Sequence, residues 1–205
     1  MTDHTSDGTT PSGATPAGTV PDTPLIVADL AAWRDWLIEN EADAGGVWLL
    51  LAKKGITSPT SLGYQEALDE ALCGGWIDGQ RRRFDETTYV QRFTPRRPRS
   101  IWSQRNVDII ARLDAAGRLR DRGRAEVAAA QNDGRWDRAY LGQSQVDVPD
   151  DLRAALARAP AASARFDALT RSERFQAMLP ILTARSDEAR ARIIARLIGS
   201  LGERG

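Results

Sequence analysis

From Leu25 onward, apolar positions recur with the spacing of a helix or a strand, whereas Met1 to Pro24 is almost entirely Thr, Ser, Gly, Pro, Ala and Asp. Such a stretch buries too little surface to offset the entropy of ordering, which predicts a disordered tail over 1–24. Leu25-Ile26-Val27 has the composition of a short strand, and Asp29 stands where a helix cap belongs. Leu30, Trp33 and Leu37 then follow at helical spacing, closed by Gly45-Gly46. Val47 to Ala52 is apolar on both alternating faces and predicts a strand central in a small sheet. Tyr64, Leu68, Ala71 and Leu72 mark one face of a helix that stops at Gly74-Gly75. Trp76 to Phe84 and Thr88 to Thr94 predict a hairpin turning around Asp85-Glu86, with Pro95 and Pro98 interrupting pairing beyond it.

After Ser103, a candidate N-cap, every periodic segment is helical. Val107, Ile110 and Leu113 share a face before Gly117, and a second helix ends at Asn132-Asp133-Gly134. Trp136 and Tyr140 are expected to fold back onto the core. Pro149 and Pro160 suit first helical positions, and Thr170 with Glu173 has capping-box spacing. A final helix from about Asp187 to Leu201 carries acids in its first turn and a stripe of Ile193, Ile194, Leu197 and Leu201. The expected fold class is α+β: a small, mostly antiparallel sheet with flanking helices and an all-helical C-terminal region, preceded by the tail. The expected organisation is a tail over 1–24, an α+β core domain over 25–140, and a helical region over 148–202 packed on or extending that core.

Composition removes several classes of chemistry. The one histidine, His4, lies in the tail, and Cys73 is the one cysteine. Catalytic triads, imidazole proton shuttles, His-containing zinc sites and paired-thiol chemistry all need residues that the predicted fold lacks. No catalytic residue, metal ligand or cofactor site is therefore expected. Cys73 reads as a buried thiol, and Trp33, Trp36, Trp48 and Trp136 as core aromatics. Gly74-Gly75 leads from helix to strand, the reverse of a phosphate-binding glycine loop. The formal net charge is +0, so no whole-molecule field selects a polyanionic partner. The longest apolar run, Val47 to Ala52, falls well short of the roughly 20 residues of a membrane span, and residues 1–24 have neither the basic nor the apolar part of a secretory signal. A cytoplasmic protein without a membrane span is expected.

Charge is uneven, however. Between Arg81 and Arg105 eight arginines face two acids, Asp85 and Glu86, a formal charge of +6 in that window. Guanidinium groups match the paired oxygens of carboxylate and phosphate, so one reading is an anion-binding surface. In a chain with 26 arginines and only Lys53 and Lys54 as lysines, the other reading is an ordinary solvated hairpin face. Tyr89, Phe93 and Trp102 interleave with the arginines as a nucleic-acid surface would require. Asp78, beside Trp76-Ile77 and followed by Gln80 and three arginines, is either a structural partner of an arginine or a working carboxylate.

Glu70-Ala71-Leu72-Cys73, Gly75-Trp76-Ile77-Asp78, Gln91-Arg92-Phe93-Thr94-Pro95-Arg96 and Ser100-Ile101-Trp102-Ser103 with Asn106, followed by Gly134-Arg135-Trp136, resemble the YdeI/OmpD-associated, bacteriocin-protection family over roughly residues 24–201. That resemblance implies a bacterial stress protein giving tolerance to bacteriocins or cationic antimicrobial peptides, with no enzymatic reaction attached. The expected binding residues are Trp76, Asp78, Gln80, Arg92, Thr94, Arg96, Arg97, Trp102 and Ser103, with an unidentified protein or small anionic ligand as partner. Two other readings stay open: a nucleic-acid-binding module on the basic hairpin, and an enzyme using Asp78 with an arginine on an anionic substrate.

Overall fold

A computed structural model describes residues 23–41, 45–142 and 146–203. All but its last two residues of the expected tail lie outside that range. Backbone contacts divide the chain between Arg96 and Arg97 into two compact units.

The first unit contains α1 (Leu30–Glu39), β1 (Val47–Ala52), α2 (Tyr64–Cys73), β2 (Trp76–Arg83) and β3 (Thr88–Pro95). Its sheet is antiparallel throughout, in the order β1-β3-β2. The α+β class is as expected, but the hairpin strand β3 is the central one, and β1 lies at the edge of the ladder. The apolar run of β1 reports burial of both faces, and five of its six residues are indeed buried. Its outer edge is partly occupied by other backbone: Leu25 N–H donates to Trp48 O at 2.8 Å, Leu50 N–H to Leu25 O at 2.9 Å, and Ala52 N–H to Leu62 O at 3.0 Å. The expected strand at 25–27 is reduced to this one bridge, Leu25 with Leu49.

Strand alternation sorts side chains onto two faces. Val47, Leu49, Leu51, Tyr89, Gln91, Phe93, Trp76 and Asp78 share one face by register. There Trp33 packs on Phe93 at 5.4 Å and Trp36 meets Trp76 edge-on at 5.8 Å, so this face carries α1. Trp48, Leu50, Val90, Arg92 and Thr94 share the other. Asp29 caps α1 as its position suggests, accepting from Ala32 N–H at 3.0 Å. From Ala67 to Cys73 α2 is buried, including Glu70, which pairs with Arg34 at 3.0 Å. Gly46 takes a positive φ of 70°, and a Cβ there would come within 2.5 Å of Phe93 O and 2.6 Å of the Thr94 side chain, so the position is closed to a side chain.

Between Asp78 and Arg81 the β2–β3 register shifts by one residue. This bulge at Gly79-Gln80 is held from the centre of the sheet: the buried Gln91 amide donates to Gly79 O at 2.9 Å and Gln80 O at 3.2 Å. The hairpin closes with Asp85 Oδ1 accepting from the Thr87 and Thr88 N–H groups, both at 2.7 Å. Hydrogen bonding from Thr88 and Thr87, that of Thr88 first, holds the Asp85 carboxyl well below its ordinary 3.8, at about 2.

The second unit is helical: α3 (Gln104–Ala115), α4 (Asp121–Asn132), α5 (Asp150–Ala157), α6 (Pro160–Ala168), α7 (Arg171–Leu182) and α8 (Asp187–Glu203). Ser103 caps α3 by accepting from Asn106 N–H at 3.2 Å, and Thr170 with Glu173 forms the expected reciprocal cap on α7. Pro160 opens α6, whereas Pro149 lies one position before α5, as its cap. Leu152, Leu156, Ala162, Phe166, Met178, Ile181 and Ile194 make the core of α5–α8. Arg190 ties α8 to α5 through Asp151 at 2.9 Å. Trp136 does fold back, meeting Trp102 edge-on at 4.9 Å, and Tyr140 N–H donates to Trp102 O at 3.0 Å. Among the described residues no helix is long and apolar enough to cross a membrane.

Candidate functional site

The nine residues singled out from the sequence occupy different environments. Trp76 is fully buried, part of the aromatic core. Asp78 is half-buried and accepts a hydrogen bond from the Tyr64 hydroxyl at 2.7 Å. Gln80 is exposed on the bulge, accepting from Arg82 at 3.3 Å. Arg92 and Thr94 lie on the opposite face from Trp76 and Asp78. Arg92 donates to Gly45 O and stands with Arg82 over the Trp48 ring, at 5.9 and 5.5 Å from its centre. Arg96 is buried, its backbone N–H donating to Gly75 O at 3.0 Å. Arg97, Trp102 and Ser103 belong to the second unit: Arg97 is exposed, Trp102 buried, and Ser103 is the cap of α3. The strand face thus divides the first-unit residues, with Asp78 and Arg92 on opposite sides of one sheet.

A cleft of about 550 Å³ opens in the first unit, within the size range of small-molecule sites. It is lined by Lys53 and Lys54 at the end of β1, by Tyr64, Gln65 and Glu66 in the first turn of α2, and by Arg81 and Tyr89 of the hairpin. Each reaches the cleft for a local reason. Lys53 is drawn over the hairpin end, donating through Nζ to Asp85 O at 3.1 Å and Glu86 O at 2.7 Å. Arg81, the first residue paired again after the bulge, lays its guanidinium over the Tyr89 ring at 3.9 Å from the centre. Burial pushes the Tyr89 phenol above its usual range, and the Arg81 charge pulls part of the way back. Tyr64 is held from behind by Asp78. Glu66, the one acid of the lining, is engaged with Gly63 N–H at 3.3 Å.

The balance is cationic: two lysines and an arginine against Glu66. Among the described residues neither Lys54 nor Arg81 has an ion-pair partner. Tyrosine hydroxyls and Gln65 add neutral hydrogen-bonding groups. Such a lining suits an organic anion or an acidic side chain. No group of three or more metal-ligating side chains occurs among the described residues. Sequence reasoning chose Arg81 as the start of the basic window but passed over Lys53, Lys54 and Tyr64. The signal was the pairing of the chain's two lysines in an otherwise all-arginine surface.

The fold and cleft define the class: an α+β unit with an open cationic cleft, followed by a helical unit. Comparison with protein families adds the lineage. Residues 145–204 match the family described as Bacteriocin-protection, YdeI or OmpD-Associated, and the chain is similar to that family over this segment. Residues 25–126 match a separate model, a domain of unknown function, DUF8412. The motifs from Glu70 to Asn106 that carried the resemblance therefore lie in the second of these matches, and the family they pointed to is found over the C-terminal helices. No curated protein and no solved structure matches the chain.

Proposed function

We propose that the protein is a non-enzymatic, cytoplasmic stress-tolerance protein that protects a bacterium against bacteriocins or cationic antimicrobial peptides. In this reading it acts by binding a small organic anion, or an acidic segment of a protein partner, in the cleft of the first unit. The observation that carries the physiological half is the bacteriocin-protection match over residues 145–204. The binding half is supported by Lys54 and Arg81, which line the cleft without acidic partners among the described residues.

The two other readings draw less support. A base-stacking surface needs accessible rings, and Tyr89, Phe93 and Trp102 are at most 6% exposed. For Asp78 as a working carboxylate, its bond to Tyr64 points instead to a positioning role behind the cleft. The test is deletion of the gene followed by survival measurements against a panel of bacteriocins and cationic peptides. Reduced survival is expected; unchanged survival across the panel overturns the proposal.

A further inference from the structure

The second unit gathers arginines at a place unrelated to the cleft. Arg99 and Trp102 come from the segment before α3, Arg135 and Arg138 from the segment after α4, and Thr183 and Arg185 from the end of α7. Together they line a notch of about 20 Å³, floored by the buried Trp102 indole. That space admits one water-sized group, so it fits a single oxygen of an anion whose remaining atoms lie outside the notch.

The arginines are held in two ways. Arg135 is 8% exposed and fixed on three sides: its Nε bonds both oxygens of Asp133, at 2.8 and 2.7 Å, and its Nη1 donates to Ser100 O at 2.9 Å. Arg138 Nη2 donates to Asp133 O at 3.0 Å, and its guanidinium lies where a Cβ on Gly134 would come within 2.8 Å of it. Asp133 thus serves both, and the Arg135 hydrogen bonds foremost, with the charges of Arg135 and Arg138, hold its carboxyl below the usual range. Arg99 and Arg185 are different. Both are exposed, and among the described residues neither has an ion-pair partner.

Backbone conformation gives a second, independent observation. Arg99 takes φ 68°, the one positive-φ residue other than glycine among the described residues. The left-handed region disfavours a side chain, and glycine would occupy it without cost. An arginine kept there, beside a second unpaired arginine, places a cation at the mouth of the notch at the expense of local stability.

We propose that this notch binds a phosphate group, as inorganic phosphate or as the phosphoryl end of a small metabolite, with Arg99 and Arg185 supplying the neutralising charge. Arg135 and Arg138 give a preorganised rear wall, since their guanidiniums are fixed before the ligand arrives. The site is separate from the cleft and stands or falls without it.

The experiment is titration of the full chain with inorganic phosphate at constant ionic strength, followed by calorimetry and by broadening of the phosphorus resonance, with chloride as control. Saturable binding is expected. Arg99→Gln and Arg185→Gln should each weaken it roughly tenfold, the loss of about one charge-assisted contact. Arg196→Gln, an exposed arginine of α8 that lines neither the notch nor the cleft, should leave it unchanged. Arg99→Gly separates binding from folding: it relieves the backbone, so thermal stability should hold or rise while phosphate affinity falls. Absence of saturable binding at millimolar phosphate, or wild-type affinity in the Arg99→Gln/Arg185→Gln double variant, overturns the proposal.

Discussion

Replacing Asp78 and Tyr64 singly and together tests whether the strand carboxylate positions the cleft tyrosine. Their contact is one hydrogen bond of 2.7 Å between Tyr64 Oη and Asp78 Oδ2, joining the first turn of α2 to β2. A bond to an ionised group contributes about 1.5–3 kcal/mol when buried. Both residues here are half-buried, and solvent screening brings the expected coupling down to about 1–2 kcal/mol. Asp78→Ala, Tyr64→Phe and the double variant close a cycle from which this coupling is read. Urea unfolding followed by tryptophan fluorescence is a suitable assay, because Trp33, Trp36, Trp48 and Trp76 all belong to the first unit. In thermal unfolding the same coupling corresponds to roughly 4–8 °C per kcal/mol for a unit of this size. Asp78→Asn keeps a neutral acceptor and should lose about half as much. A coupling within about 0.5 kcal/mol of zero, the ordinary scatter of additivity, would refute the positioning role.

Other expected outcomes follow from the same unit. Gln91→Leu keeps the bulk of the buried side chain but strips both bulge carbonyls of their donor; a loss of about 1–3 kcal/mol in urea unfolding is expected, and an unchanged midpoint would mean that the bulge holds itself. Asp85 titrates at about 2 in the fold against an ordinary 3.8, so its contribution is complete above 3.8 and disappears as pH falls through 2. Urea midpoints measured from pH 4 to pH 2 should therefore decline less steeply in Asp85→Asn than in the wild type.

Helices were legible because their signals are local. Asp29, Ser103 and the Thr170–Glu173 pair each announce a helix start through a bond made within three residues, and each bond is present. The hairpin was legible for the same reason, its turn residues lying between two β-rich runs. Sheet order was not. Val47–Ala52 shows apolar residues on both faces, which reports what covers the faces and says nothing of the hydrogen-bonding edges; there Leu25 and Leu62 stand in for a neighbouring strand. The cleft was legible only at Arg81. Lys53, Lys54 and Tyr64 reach it from positions up to 28 residues away in sequence, through a bulge whose register shift depends on one buried glutamine. Proximity in sequence likewise overstated the link between Asp78 and Arg92, which strand alternation sends to opposite faces.

The central claim joins the cationic cleft to protection. It is tested most directly by complementing a deletion strain with the wild-type gene or with the Lys54→Gln/Arg81→Gln variant, and counting survivors of bacteriocin challenge. Both side chains are exposed, and losing the Arg81 stacking on Tyr89 should cost about 0.5–1 kcal/mol, so the variant should remain folded. The account predicts that the wild type restores survival and the folded variant does not. Equal restoration by both would contradict it.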